Sequence, residues 1–309
     1  MQNIAIQVRD LQKSYKALHV LKGVDFEVEK GSIFALLGSN GAGKTTIVKI
    51  LTTLLKADGG SAFVNGLEVV SDSFAVRQSI SLTGQFAAVD EILTGRENLV
   101  MIARLRHLQD VRQVAEELLK RFGLTDAADR RVATYSGGMR RRLDIAMSLI
   151  GKPQIIFLDE PTAGLDPEAS KLVRDFIDEL KTEGRTIFLC THNLDEADRL
   201  CNRIGVFKQH LIQVDTPSRM KTAVFGRQVE FKIKPNDAQL AEIIKRFPFI
   251  KSTQVESNRL LLGLDNPEES NPLVVKALVN AGVEVQFVSE VRHSLEDVYL
   301  SLINNGTTR

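Results

Sequence analysis

The segment from Ser32 to Thr46 constrains this chain more than any other. Ser32-Ile33-Phe34-Ala35-Leu36-Leu37 is apolar and of strand length, and it runs straight into Gly38-Ser39-Asn40-Gly41-Ala42-Gly43-Lys44-Thr45-Thr46. Ile47, Ile50, Leu51 and Leu54 then recur at helical spacing, so the segment reads strand, glycine-rich turn, helix. Residues 38–45 fit the pattern G-x-x-x-x-G-K-[ST]. Glycines let successive amides turn toward an anion, and the helix that follows presents unpaired amides and its positive end. Lys44 adds a mobile positive charge for terminal phosphates, and Thr45 offers an oxygen to Mg²⁺.

A second unit of the same kind supports the first. Ile155-Ile156-Phe157-Leu158 ends in Asp159-Glu160-Pro161, and a helix is expected over 168–182. A strand-end aspartate completes the metal shell in phosphate-loop enzymes, and the adjacent carboxylate is free to face water. Thr186-Ile187-Phe188-Leu189 leads likewise into Thr191-His192-Asn193, with Glu196 three positions after Asn193 as in a helix cap. Short apolar strands alternating with helices predict a mainly parallel sheet covered on both faces. Ile4–Val8 and Val24–Val28 are further strand candidates that begin a small N-terminal sheet. Leu99, Ile102, Ala103 and Leu105, then Val114, Leu118, Leu119 and Phe122, mark two helices, the second ended by Gly123. They predict a helical subdomain inserted at about 86–150. Ser136-Gly137-Gly138 opens another helix, carrying Leu143, Ala146, Met147 and Ile150, whose amides can meet a phosphate.

The grammar changes near residue 225, which divides the chain into 1–225 and 226–309. Val229–Lys234 alternates as a strand, and Asn236 can cap a helix carrying Leu240, Ile243, Ile244 and Phe247. Strands at 251–257 and 259–264, a helix at 272–281, strand Val283–Val288 and a helix at 294–303 follow. The β-α-β-β-α-β order is that of a ferredoxin-like domain. It carries no glycine loop or carboxylate cluster, so regulation, dimerisation or packing is expected of it.

Composition excludes some alternatives. Forty basic and thirty-nine acidic residues leave a net charge of +1, which gives no overall pull toward nucleic acid. No apolar run reaches the eighteen residues of a bilayer-crossing helix, and the first residues carry no signal-peptide pattern. Cys190 and Cys201 are too few for a disulfide framework and read as buried thiols.

With these motifs in order, the chain resembles the nucleotide-binding subunit of ATP-binding cassette (ABC) transporters, in the exporter-type, drug-resistance-like branch with an added C-terminal domain. The resemblance implies an α/β P-loop NTPase cassette. Its parallel sheet core carries an N-terminal antiparallel β subdomain and the inserted helical subdomain, and a small α+β, ferredoxin-like domain follows. It implies Mg²⁺-dependent ATP hydrolysis. Gly38 to Thr46 would bind the phosphates and Tyr15 would stack on adenine. Thr45, Asp159 and Gln85 would hold the metal, and Glu160 would act as general base with Lys44, Gln85 and His192 assisting. Ser136-Gly137-Gly138 matches the signature that binds the nucleotide of a second copy, and Gly164-Leu165-Asp166 the loop that crosses to that copy. Ser294-Leu295-Glu296-Asp297-Val298-Tyr299-Leu300 looks like the ending of the same branch. Departures are small: Ser39 replaces a frequent proline, Tyr135 a leucine, and Met139 a glutamine able to hydrogen-bond. The implied partners are a second copy in an ATP-sandwich dimer and a separate multi-helix transmembrane permease. The expected location is the cytoplasmic face of the cell membrane, with efflux of a drug, lipid or similar hydrophobic compound as the output. The rival reading is a soluble cassette ATPase of translation or DNA maintenance, which would carry two cassettes or a long coiled-coil insertion.

Overall fold

The computed structural model describes residues 3–234, 243–244 and 246–305. The chain divides into two compact units between Thr216 and Pro217.

The first unit is built on a six-stranded sheet. Its strands are β3 (Ile33–Leu37), β6 (Ile80–Thr83), β7 (Ile155–Asp159), β8 (Thr186–Thr191), β9 (Arg203–Lys208) and β10 (His210–Asp215), in the spatial order β10-β9-β3-β8-β7-β6. All neighbours are parallel except β10 with β9 at one edge. Every residue of β3, β7 and β8 is buried, which explains why these strands read as uninterrupted apolar runs. Parallel register sets Phe34 beside Phe188 and Phe188 beside Phe157. The rings stack or tilt at centroid distances of 5.5 Å, and Phe26 joins the row 5.4 Å from Phe34. Each such pair contributes about 0.5–1.5 kcal/mol beyond its buried area.

Phe26 belongs to a separate four-stranded antiparallel sheet, ordered β2-β1-β4-β5, from β1 (Ile4–Tyr15), β2 (Leu18–Glu29), β4 (Gly59–Val64) and β5 (Leu67–Glu68). The aromatic row therefore ties the N-terminal sheet to the central one. β1 runs seven residues beyond the expected Ile4–Val8. Asp10, at φ 44°, sits in an irregularity of the ladder that breaks the apolar alternation without ending the strand.

Helices α1 (Lys44–Leu51), α2 (Ser73–Ser79), α6 (Pro167–Thr182) and α7 (Leu194–Leu200) accompany the central sheet. The helical insertion holds α3 (Gly95–Leu105), α4 (Val111–Arg121) and α5 (Gly137–Ser148). α3 begins with a reciprocal cap: Glu97 N–H donates to Thr94 Oγ1 at 3.2 Å, and Thr94 N–H donates to Glu97 Oε2 at 2.8 Å. Fully buried Asn98 accepts from Asp90 N–H at 2.8 Å and donates to the Asp90 and Thr94 carbonyls, which anchors the chain leading into α3. Among the described residues no helix is long and apolar enough to cross a membrane.

The second unit contains one antiparallel sheet, ordered β12-β13-β11-β14, from β11 (Gln228–Ile233), β12 (Ile250–Glu256), β13 (Arg259–Leu264) and β14 (Val285–Glu290). Placing the first and third strands in the middle gives the expected ferredoxin-like arrangement. Val229, Phe231, Ile233, Leu260, Leu262 and Leu264 form its core with Val274 and Leu278 of α9 (Pro267–Asn280). α8 (Pro217–Phe225) packs on α10 (Leu295–Asn305) within this unit. Asn236 and Leu240, expected on the helix after β11, lie outside the described residues. α9 starts five residues before the expected 272, with Pro267 at its first position where no amide hydrogen is needed. β14 starts two residues after the expected Val283, because the Val283 amide donates back to Leu278 O at 2.9 Å and finishes the helix.

Candidate functional site

Three neighbouring strands, β3, β8 and β7, deliver the site from their C-terminal ends, where parallel α/β sheets place their ligands. From β3 the chain turns through residues 38–43 into α1. Gly43 takes φ 115°, a backbone that side-chain-bearing residues rarely adopt, and it starts the helix. At Gly38 a Cβ would lie 2.5 Å from the Phe207 carbonyl oxygen, so the loop can pass β9 only as glycine. Lys44 is buried, and its Nζ donates to the carbonyls of Gly38 at 2.5 Å and Ser39 at 3.3 Å. The lysine thus closes the loop on itself and holds its charge at the turn.

A cavity of about 240 Å³ opens at this turn. Ser39, Asn40, Gly41, Gly43, Lys44, Thr45, Thr46, Gln85, Asp159 and Glu160 all line it, so the loop, the glutamine and both strand-end carboxylates meet. Val20 of β2 also lines it; an apolar residue in an alternating strand carries no sequence signal for such a place. Thr45 Oγ1 donates to Asp159 Oδ2 at 3.1 Å. Hydroxyl, carboxylate and side-chain amide form an oxygen-rich set that fits a hard cation such as Mg²⁺. Burial pushes the Asp159 carboxyl above its ordinary range and nearby Glu160 adds to this, while the Thr45 hydrogen bond and the Lys44 charge oppose it. A dication at Asp159 would reverse the balance.

Asp159 and Glu160 are adjacent yet serve different directions. Glu160 has φ 50°, a left-handed conformation unusual for a residue with a side chain, and its N–H donates to Cys190 O at 2.8 Å. Its carboxylate is nearly buried, with Oε2 2.8 Å from His192 Nδ1. His192 itself is mostly exposed. The loop behind it is fixed as the Asn193–Glu196 spacing predicts: Glu196 N–H donates to Asn193 Oδ1 at 3.1 Å and caps α7. The Glu196 carboxylate does not return to the Asn193 amide. It accepts from Thr191 Oγ1 at 3.0 Å, and that hydroxyl in turn accepts from Asn193 N–H at 3.0 Å. Burial raises the Glu196 carboxyl above its ordinary range, opposed by hydrogen bonds from Thr191 and Thr162. Cys190 and Cys201 are buried free thiols, and burial holds Cys190 well above the ordinary thiol range.

The other expected site residues stand apart from the cavity lining. Tyr15 is 46% exposed at the end of β1, with the Lys13 ammonium 5.9 Å from its ring centroid. Ser136 and Gly137 are exposed at the start of α5, and Ser136 Oγ accepts from Met139 N–H at 3.2 Å. Asp166 Oδ1 accepts from Ala169 N–H at 2.8 Å, and Pro167 occupies the first position of α6. Ala42, within the loop, is buried without lining the cavity. Arg141, which sequence reasoning passed over, is buried against the carbonyls on both sides of Glu160.

Comparison with known proteins agrees with this geometry. Residues 21–163 match the family described as ABC transporter. The chain is 42% identical to the daunorubicin resistance ATP-binding protein DrrA2 of Streptomyces coeruleorubidus, over 99% of this chain and 97% of that protein. It is 38% identical to the doxorubicin resistance ATP-binding protein DrrA of Mycobacterium tuberculosis (strain ATCC 25618 / H37Rv), over 99% and 95%. Among solved structures it is similar to cbiO1 from Clostridium perfringens, part of the ABC transporter complex cbiONQ. The TM-score is 0.66 and the identity 27%, with 71% of this chain and 90% of that one covered. Identity at this level over almost the whole length, with an intact phosphate loop and strand-end carboxylates in one cavity, places the chain. It belongs to the ATP-binding subunits of ABC transporters, closely related to the DrrA-type drug-resistance ATPases, and is an ATP-hydrolysing transporter subunit that uses ATP with Mg²⁺.

Proposed function

We propose that this chain powers efflux of a drug, lipid or similar hydrophobic compound through a separate multi-helix permease, working as a dimer on the cytoplasmic face of the membrane. The observation that carries the two-copy reading is the split of the site. One cavity gathers Lys44, Thr45, Gln85, Asp159 and Glu160, while Ser136 and Gly137 stand exposed outside its lining, available to a nucleotide held by another copy.

In this reading the amides of residues 38–46 and the Lys44 ammonium bind the phosphates, and Tyr15 stacks on adenine. Thr45, Asp159 and Gln85 would hold Mg²⁺, which supplies charge neutralisation for the phosphoryl group. Glu160 orients the attacking water and takes its proton. His192, 2.8 Å from Glu160 Oε2, holds that carboxylate and reaches the transferring phosphoryl group. Ser136–Gly138 of the second copy supply the opposing amides, and the turn at Asp166 crosses to that copy. The segment after residue 225 helps retain or regulate the dimer by keeping two cassettes close.

Permease docking is assigned to the chain that follows Gln85. Phe86 is 83% exposed and Ile92 77%, large apolar side chains on a segment otherwise pinned by Asn98. Exposure of that kind marks an interaction surface. Phe86→Asp should abolish co-purification with the permease and transport into vesicles while the purified chain keeps most of its basal ATP hydrolysis. If the parent chain never associates with a membrane partner, the exporter reading fails and a soluble cassette ATPase becomes the better account.

A further inference from the structure

Three consecutive arginines, Arg140, Arg141 and Arg142, sit in the first half of α5, and only the middle one is buried. Arg140 pairs with Glu91 at 3.0 Å and Arg142 donates to the Phe122 carbonyl at 2.9 Å, both at partly exposed positions. Arg141 turns inward and uses its donors on three carbonyls from two separate pieces of chain. Nη1 donates to Gly84 O at 2.6 Å, Nε to Pro161 O at 2.9 Å and Nη2 to Asp159 O at 3.3 Å. Its charge is balanced by Asp144, one turn on, whose Oδ2 lies 3.2 Å from Nη1. The other oxygen of Asp144 accepts from Ala88 N–H at 3.2 Å.

These contacts have a single geometric theme. Gly84 immediately precedes Gln85, and Asp159 and Pro161 flank Glu160. The peptide that must hold Glu160 in its left-handed conformation is gripped by its carbonyls on both sides, and the glutamine loop is gripped at Gly84 and again, through Asp144, at Ala88. A planar guanidinium with five donors can do this; a single ammonium cannot. The grip is mounted on α5, whose exposed end is Ser136-Gly137. Five residues of helix, about 7.5 Å, separate Ser136 from Arg141, so a shift of that end is passed to the guanidinium by a rigid rod.

We infer that Arg141 is a positioning residue for hydrolysis, locking the Gln85 and Glu160 loops of one nucleotide site to the helix whose exposed end serves the other. This rests on the two-copy reading above. When ATP held by the second copy engages Ser136, α5 and Arg141 set the Glu160 peptide in its own site, and the two hydrolysis events become coupled. Phosphate gripping does not use Arg141, because none of its contacts is to residues 38–46; it reaches the proposed metal ligands only through the Asp159 carbonyl and Gly84, so its loss falls more on turnover than on nucleotide affinity.

The test compares parent, Arg141→Met and Arg141→Lys as full chains. Phosphate release is measured against ATP concentration, binding by calorimetry and folding by thermal melting. The parent is expected to show a Hill coefficient above 1. Methionine fills the volume without donors. R141M should bind ATP within about threefold of the parent, lose turnover on the order of 10²-fold, as misplacement of a catalytic group by an ångström does, and show a Hill coefficient near 1. Lysine keeps a charge opposite Asp144; R141K should be intermediate in turnover and equally non-cooperative, and it decides the matter if R141M does not fold. A parental turnover number and Hill coefficient in the folded variants overturn the assignment, as does a loss of ATP affinity in step with melting temperature that R141K repairs completely. Size exclusion of Glu160→Gln with ATP separates the two layers of the argument. If that variant forms no ATP-dependent dimer, the two-copy reading fails and the coupling falls with it; if it dimerises while R141M behaves as parent, only the role of Arg141 is lost.

Discussion

Glu160→Gln is the perturbation that most directly tests the proposed chemistry. The exchange is nearly isosteric at a side chain that is only 10% exposed, so it opens no cavity. The amide oxygen can still accept from His192 Nδ1 at the 2.8 Å now occupied by carboxylate Oε2, and the φ 50° backbone is untouched. What disappears is the ability to take a proton from water. Removal of a positioned general base costs about 10²–10⁴ in rate, or roughly 3–5 kcal/mol of transition-state stabilisation. ATP binding should survive or tighten, because a negative charge beside Asp159, one that helps raise the Asp159 carboxyl, is gone. The assay is phosphate release by purified parent and variant at saturating ATP and Mg²⁺, with nucleotide binding measured separately. Turnover within about threefold of the parent, with binding intact, would refute the general-base assignment whatever happened elsewhere in the site.

Lys44→Ala removes both the loop's only cation and its clasp on the Gly38 and Ser39 carbonyls. Calorimetry should find ATP bound at least tenfold more weakly, or phosphate release reduced on the order of 10²-fold; unchanged binding and turnover together reject the site. Tyr15→Ala should weaken ATP binding about threefold to tenfold, the worth of one aromatic stack, and an unchanged affinity removes Tyr15 from the base site. Asp144 gives a pH signature. Burial outweighs Arg141 and raises its carboxyl to about 6, against an ordinary 3.8, so the fold favours the neutral form. The stabilisation this contributes is present below pH 4 and lost as pH rises through 6. Relative to Asp144→Asn, the parent should lose about 2 kcal/mol between pH 4 and 7, read from urea unfolding at the two pH values; a pH-independent difference sinks the argument.

The parts of this molecule that could be read from sequence are those in which one residue's neighbours along the chain fix its surroundings. β3, β7 and β8 are buried along their whole length and carry near-continuous apolar runs, and each run is broken at its C-terminal end by a distinct polar or glycine turn: Gly38 after β3, Asp159-Glu160 after β7 and His192-Asn193 after β8. That was enough to bring Lys44, Thr45, Asp159 and Glu160 together, and the Asn193 cap followed from spacing alone. Arg141 was invisible for the opposite reason. α5 buries Arg141, Leu143, Asp144, Ile145, Ala146 and Met147, nearly its whole circumference, so no polar stripe sets Arg141 apart from Arg140 and Arg142. Its partners are backbone carbonyls at Gly84, Asp159 and Pro161, and a carbonyl is present whatever the residue. The left-handed turn at Glu160 is hidden in the same way. A glutamate at φ 50° is held by Cys190 O from β8 and by Arg141 from α5, elements distant in sequence, so no local propensity announces it. That conformation separates the Thr45-facing carboxylate of Asp159 from the His192-facing carboxylate of Glu160. The adjacent pair could be recognised from its motif, but its division of labour is set by the tertiary contacts that keep an unfavourable backbone in place.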